Sequence, residues 1–132
     1  MILNTVDQMG NAYCNQLAAL GFDLILSGPP IDSERMEKQA SLLRERHQVK
    51  TKVIIIDYNG LGSNSYQDIG NTLDNLDICI LVNNQTYAVP FDLARSDLLH
   101  YQIQACLMQI NKHIKCSLLI QQCIVPGMLS RR

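Results

Sequence analysis

Leu76-Asp-Ile-Cys-Ile-Leu-Val-Asn-Asn84 decides how this chain is read. Its apolar residues run unbroken from position 78 to position 82 and then meet two asparagines. A short continuous apolar run closed by turn-forming residues is the pattern of a strand buried on both faces. The run is far too short to cross a bilayer. Asparagine side chains bond readily to nearby backbone, so the pair is a natural strand ending.

Two further runs of the same kind lie upstream. Phe22-Asp-Leu-Ile-Leu-Ser27 is a short strand ended by Gly28-Pro29-Pro30, and Lys52-Val-Ile-Ile-Ile-Asp57 is a second, again read as buried on both faces. Helical patterns fill the intervals. Met9, Ala12, Tyr13, Leu17 and Leu20 share one helical face, with Gly21 as the stop. Asp32 or Ser33 caps a second helix whose stripe is Met36, Ala40 and Leu43. Asn64 or Ser65 opens a third through Tyr66, Ile69 and Leu73. Beyond a loop containing Pro90, the residues Ile103, Leu107, Ile110, Ile114 and Leu118 form the stripe of a long helix ended by Pro126-Gly127. Buried strands alternating with helices give a parallel sheet covered on both faces. Right-handed crossovers make it a doubly wound α/β unit.

Composition sets the outer limits. The chain has 132 residues, which suits one small domain spanning 1–132. Hydrophobic content of 47% against 17% charge is globular rather than disordered. A net charge of -1, with no basic cluster beyond Arg131-Arg132, gives no nucleic-acid footprint. Neither a membrane-spanning segment nor a signal peptide is expected. Cys14, Cys79, Cys106, Cys116 and Cys123 are odd in number, contain no Cys-x-x-Cys and have no histidine at metal spacing. They read as reduced, mostly buried thiols, with no metal site, in a reducing intracellular compartment: cytoplasm, endoplasmic reticulum surface or mitochondrion.

Several motifs in order resemble the short-chain dehydrogenases/reductases, and most of all their branch of 17β-hydroxysteroid dehydrogenase type 12 and very-long-chain 3-ketoacyl reductases. Gly10-Asn-Ala-Tyr13 with Leu17-Ala18 and Gly21 is similar to the helix after that family's glycine-rich loop. Asp57 before Tyr58 is similar to its Asp-Phe, whose carboxylate meets the adenine. Residues 76–84 resemble its Leu-Asp-Ile-Gly-Ile-Leu-Val-Asn-Asn, and Val125-Pro-Gly-Met128 with Ser130-Arg-Arg132 its Leu-Pro-Gly-Met and basic turn. The resemblance implies a partial Rossmann-like sheet. It would lack most of the first strand, whose slot is filled either by Met1-Ile2-Leu3 or by another segment, and everything after the fourth strand and its long helix.

The resemblance also implies hydride transfer with a nicotinamide cofactor, but the residues that should serve it are altered. The family's Thr-Gly-x-x-x-Gly-x-Gly falls on residues 3–10, where Asn4 and Gln8 replace two glycines and only Gly10 remains. Such glycines let backbone N–H groups reach a pyrophosphate at a helix N-terminus. Asn4 tolerates a left-handed turn, whereas Gln8 puts a side chain where phosphate should lie. Ser27-Gly28-Pro29 offers neither the arginine of NADP members nor an acid for a ribose, and Asp32 is better placed as a cap. Gln85-Thr86 follows Asn83-Asn84 where the family has small residues. The Asn-Val-Asn of the long helix becomes Asn111-Lys112-His113, so His113 stands where the catalytic asparagine should be. The family's Ser and Tyr-x-x-x-Lys, which supply the proton, have no match in these 132 residues.

Gly10, Asp57, Asn83 and Asn84 are thus vestigial cofactor positions, and Asn111 and His113 vestigial catalytic ones. Asn83 and Asn84 either still touch a cofactor or only end the strand. The expectation is a catalytically inactive remnant without cofactor. It would act as a structural or accessory subunit in a larger assembly, through the helix stretch between Tyr101 and Gln122 and an exposed sheet edge. The alternative is the N-terminal half of a split NADP-dependent hydroxysteroid or 3-ketoacyl reductase, with Ser, Tyr and Lys from another chain.

Overall fold

The computed structural model describes residues 1–57, 63–73, 76–84 and 99–130, without the side chains at 63–67, 99–102, 105, 109, 112 and 113. The readings placed on Tyr58, Gln85-Thr86, Pro90 and Arg131-Arg132, and on the side chains of Tyr66, Tyr101 and His113, lie outside the described residues.

The elements run β1 (Ile2–Leu3), α1 (Gln8–Ala19), β2 (Leu24–Gly28), a single turn of 3-10 helix at Pro30–Asp32, α2 (Ser33–His47), β3 (Thr51–Ile55), α3 (Ser63–Leu73), β4 (Val82–Asn83) and α4 (Leu99–Leu129). The four strands form one parallel sheet in the order β3-β2-β1-β4. Helices α1 and α2 cover one face through Cys14, Ala18, Ala40 and Leu43, against Ile2, Leu24 and Leu26. Helices α3 and α4 cover the other through Ile69, Leu73, Cys116, Ile120 and Ile124, against Leu3, Ile54 and Ile56. This is the α/β doubly wound, Rossmann-like arrangement. The central slot is filled by the shortened strand Ile2–Leu3 itself, both of whose residues are fully buried.

Several element readings need correction. The run before Asn83 is not strand along its length: only Val82–Asn83 pairs, opposite Ile2 and Leu3 of β1. Strand β3 is buried on one side only. It lies at the sheet edge, where Ile54 is covered by the α4 side while Ile55 is left 42% exposed. Helix α3 begins at Ser63, ahead of both proposed openings. Asp32 stands at the N-cap of α2 but does not cap with its side chain; its carboxylate accepts from Arg35 at 3.0 Å.

The stripes expected to face the sheet on α1 and α4 are largely exposed, unlike that of α2, whose Met36, Ala40 and Leu43 are all buried. In α1 the inward face is Gly10, Cys14 and Ala18, while Met9, Tyr13 and Leu20 are exposed. This helix sits so close to the sheet that only small residues fit beneath it. In α4 the inward face is Cys116, Ser117, Ile120 and Ile124, and the five residues of the expected stripe all face outward. Nor does Pro126-Gly127 stop α4, which runs on to Leu129, with Ser130 N–H donating to the Pro126 carbonyl at 3.0 Å. Gly21 does end α1. Its φ is +84°, and Gly21 and Phe22 N–H groups donate back to the carbonyls of Ala18 and Leu17, closing a Schellman turn.

The cysteines are free thiols, but only Cys14 and Cys116 are buried, which corrects the expectation that most would be. Among the described residues no helix is long and apolar enough to cross a membrane.

Candidate functional site: the carboxyl edge of the sheet

Because all four strands are parallel, their carboxyl ends share one edge, where open α/β sheets bind ligands. The edge is built around the loop from β1 to α1. Asn4 takes the left-handed conformation, φ 57°, that its side chain tolerates best after glycine. The chain then turns so that Asp7 becomes the N-cap of α1. Its carboxylate accepts from Gly10 N–H at 2.6 Å, satisfying one of the donors a helix start leaves open.

The same carboxylate organises the rest. Asn84 Nδ2 donates to Asp7 Oδ1 at 2.9 Å and to the Asn4 carbonyl at 2.9 Å, and Asn4 Nδ2 donates to Asp7 Oδ2 at 3.0 Å. Gly10 is the close-approach point. A Cβ there would overlap the Asn4 carbonyl oxygen and lie 2.8 Å from Thr5 Cα and 3.0 Å from Asn84 Nδ2. So the residue after β4 is tied to the loop after β1 by side-chain bonds, and only glycine leaves room for the tie.

The expected site residues are thereby sorted. Gly10 and Asn84 are brought together. Asn83 turns the other way, its Nδ2 donating to Ser117 Oγ on α4, a short contact that sequence reasoning did not foresee. Asp57 is exposed just beyond β3, on the same edge but separated from β4 by β2 and β1. Asn111 is exposed on α4, in a groove of about 450 Å³ shared with Gln104, Leu107, Met108 and Lys115. Gln8 is the first residue of α1 and points into solvent.

Sequence reasoning also missed a cation. The end of β2 has none: the Ser27 hydroxyl is buried and donates to the Ile2 carbonyl at 3.0 Å. Arg35, one turn into α2, reaches the loop instead, donating to the Val6 carbonyl at 3.3 Å. Gln39 Nε2 donates to the Thr5 carbonyl at 3.3 Å and to Asn11 Oδ1 at 3.0 Å. Thr5, Val6, Asn11, Arg35, Lys38 and Gln39 line, with Leu42, an open groove of about 320 Å³. Thr5 Oγ1 and Gln39 Oε1 are both buried there without a protein partner, and buried polar groups are seldom left so. The Asp32-to-Arg35 spacing, three apart on a helix, was the available signal.

No family model matches the chain. The very-long-chain 3-oxoacyl-CoA reductase of Aspergillus clavatus is 29% identical over 141 aligned positions, covering 100% of this chain and 37% of that protein. The inactive hydroxysteroid dehydrogenase-like protein 1 of Homo sapiens is 26% identical over 132, covering 100% of this chain and 38% of that one. The chain is a homologue of short-chain dehydrogenases/reductases. It spans about 37% of the length of the curated relatives it matches. The fold agrees. An L-sorbose reductase from Gluconobacter frateurii, solved with NADPH and L-sorbose, superposes with a TM-score of 0.73 at 17% identity, over 98% of this chain and 47% of that one. A short-chain dehydrogenase from Sphingobium yanoikuyae, solved with NADPH, gives 0.66 at 19% identity, over the same shares. In the short-chain dehydrogenase/reductase frame, the Asp7–Asn84–Asn4 bonds brace the loop that carries the family's glycines, with Asn4 and Gln8 at two glycine positions.

Proposed function

We propose that this chain is a non-catalytic short-chain-dehydrogenase-like subunit that holds a partner protein on α4 within a larger assembly. The observation that carries the reading is the outer face of that 31-residue helix. Ile103, Leu107, Ile110, Ile114 and Leu118 lie 39–54% exposed in one row, and Val125 and Leu129 extend it. Contiguous apolar rows of this kind on soluble proteins mark interaction surfaces more often than idle ones. The sheet edge at β4 is a secondary contact. Gln8 and Asn4 at glycine positions of the phosphate loop support a loss of cofactor use.

The test is the solution mass of the purified chain, alone and with its co-purifying chains, by light scattering after size exclusion. Ile114→Glu with Leu118→Glu should release the partner while leaving the melting temperature unchanged. A wild-type chain that runs as a monomer with no bound partner overturns the reading.

A second reading has its own support: the chain supplies the cofactor-binding part of an NADP-dependent hydroxysteroid or 3-ketoacyl reductase whose Ser, Tyr and Lys come from another chain. Arg35 and Lys38 beside the β1–α1 loop are suited to a phosphate, and Asp7, Asn84 and Gly10 keep that loop in one shape. NADPH titration followed by nicotinamide fluorescence separates the two. Saturable binding at micromolar cofactor, weakened in Arg35→Ala, would replace the first reading with the second.

A further inference from the structure

Helix α4 carries its exposed apolar residues at a definite spacing. Ile103, Leu107, Ile110, Ile114 and Leu118 stand four, three, four and four residues apart. At about 100° per residue they fall within an arc of roughly 80°. Steps of three and four are the seam along which one helix packs on another. At about 1.5 Å per residue the ends of the row lie roughly 22 Å apart, about four turns. A loop meets such a row at one or two residues, whereas a helix laid along it meets the whole of it.

The flank of the row is one-sided in its chemistry. A groove of about 450 Å³ runs beside it, lined by Gln104, Leu107, Met108, Asn111 and Lys115. Leu107 belongs to the row itself, and Gln104, Asn111 and Lys115 follow about 80° further round the helix. All three are exposed, and all three side chains end in N–H donors, two amides and an ammonium. Among the described residues no carboxylate pairs with Lys115. The sequence of α4 contains Lys112 and Lys115 but no Asp or Glu. Two copies of this helix laid together would flank the seam with cations and supply no acid to meet them.

We propose that the outer face of α4 takes an amphipathic helix of a partner protein, with apolar residues at the same three-four spacing and Asp or Glu beside them, and not a second copy of this chain. The inference rests on the reading of α4 as a docking face and names what docks there. The row sets the shape of the partner, since burying it calls for a matching apolar stripe. The groove sets its charge. Carboxylates flanking the partner's stripe accept from the Lys115 ammonium and from the side-chain amides of Gln104 and Asn111, and a bond to an ionised group is the stronger kind. Apolar contact supplies the affinity, and charge decides which helix is chosen.

The experiment is fluorescence anisotropy of two labelled three-heptad peptides, titrated with the full 132-residue chain. Both carry Ile at a and Leu at d with Ala and Gln elsewhere; one has Glu at e and g, the other Lys. The Glu peptide should bind saturably and about tenfold more tightly than the Lys peptide. The gap should close as salt is raised from about 0.05 to about 0.5 M. Lys115→Glu, at an exposed position, should abolish the preference, and Ile114→Glu with Leu118→Glu should lose both peptides. Equal binding of the two peptides overturns the acidic partner while leaving α4 a docking face. Binding of neither by a chain that runs as a dimer in light scattering assigns the face to a second copy and overturns the proposal. Binding of neither by a monomeric chain overturns it together with the reading of α4. Undiminished binding by the Ile114→Glu, Leu118→Glu chain puts the peptide elsewhere and overturns it as well.

Discussion

Helices α1 and α4 both leave large apolar side chains in water, and for opposite reasons. Helix α1 lies so near the sheet that its buried face has shrunk to Gly10, Cys14 and Ala18, and the bulky Met9, Tyr13 and Leu20 are displaced outward. Helix α4 is apolar on two sides. Cys116, Ile120 and Ile124 fill the core, while Ile114 and Leu118 sit about 200° away around the helix at 100° per residue. Displacement in the first case follows from lack of room. In the second the sequence carries more apolar surface than this chain's core uses. An exposed hydrophobic residue therefore has two meanings, and the size of the residues buried opposite tells them apart.

The sharpest way to break this comparison is a pair of substitutions on α4. Ile120→Ala should lower unfolding free energy by about 3 kcal/mol, because it opens a hole beneath a residue only 1% exposed. Leu118→Ser, on the opposite face, should change it by less than about 0.5 kcal/mol. Urea unfolding of the two proteins gives the contrast, and equal losses would mean that both faces are buried.

Gly10→Ala tests the tight approach of α1. The added carbon meets main-chain atoms of Asn4 and Thr5, which cannot rotate away, so a loss of about 2 kcal/mol is expected despite alanine's better helix propensity. A stabilised variant in the same urea series would show that α1 has room to spare.

Asp7→Ala should cost about 1 kcal/mol for the cap alone. A larger loss measures the bonds from Asn84 and Asn4 that converge on the same carboxylate. Asn84→Ala combined with Asp7→Ala in a double-mutant cycle isolates that coupling, and purely additive effects would deny it.

The smallest effect concerns chemistry rather than stability. Burial pushes the Cys14 thiol up to about 12, so its reactive thiolate is scarce at pH 8, whereas Cys79 is exposed. Native-state alkylation at pH 8, followed by peptide mass spectrometry, should label Cys79 well before Cys14. Raising the pH toward 12 favours the Cys14 thiolate as long as the fold survives. Equal labelling at pH 8 would indicate that α1 lifts from the sheet.

The class of fold, the alternation of strand and helix, the family resemblance, the left-handed Asn4, the Gly21 stop and the buried stripe of α2 were all legible in the sequence. Each rests on local chemistry: a continuous apolar run, an asparagine's tolerance of positive φ, a glycine free of a Cβ, a helix whose apolar residues lie on one side only. Tertiary structure alone decided the rest. It paired β4 with Ile2 and Leu3 at Val82–Asn83, and it left Ile55 half-covered, because β3 lies at an edge. It brought Arg35 to the Val6 carbonyl, turned Asn83 to Ser117 and Asn84 to Asp7, and placed Asn111 on an outer groove. It also chose which of two apolar faces on α4 would meet the sheet. Periodicity fixes the angle between faces, but only the packed neighbour fixes which one is covered and how closely it approaches.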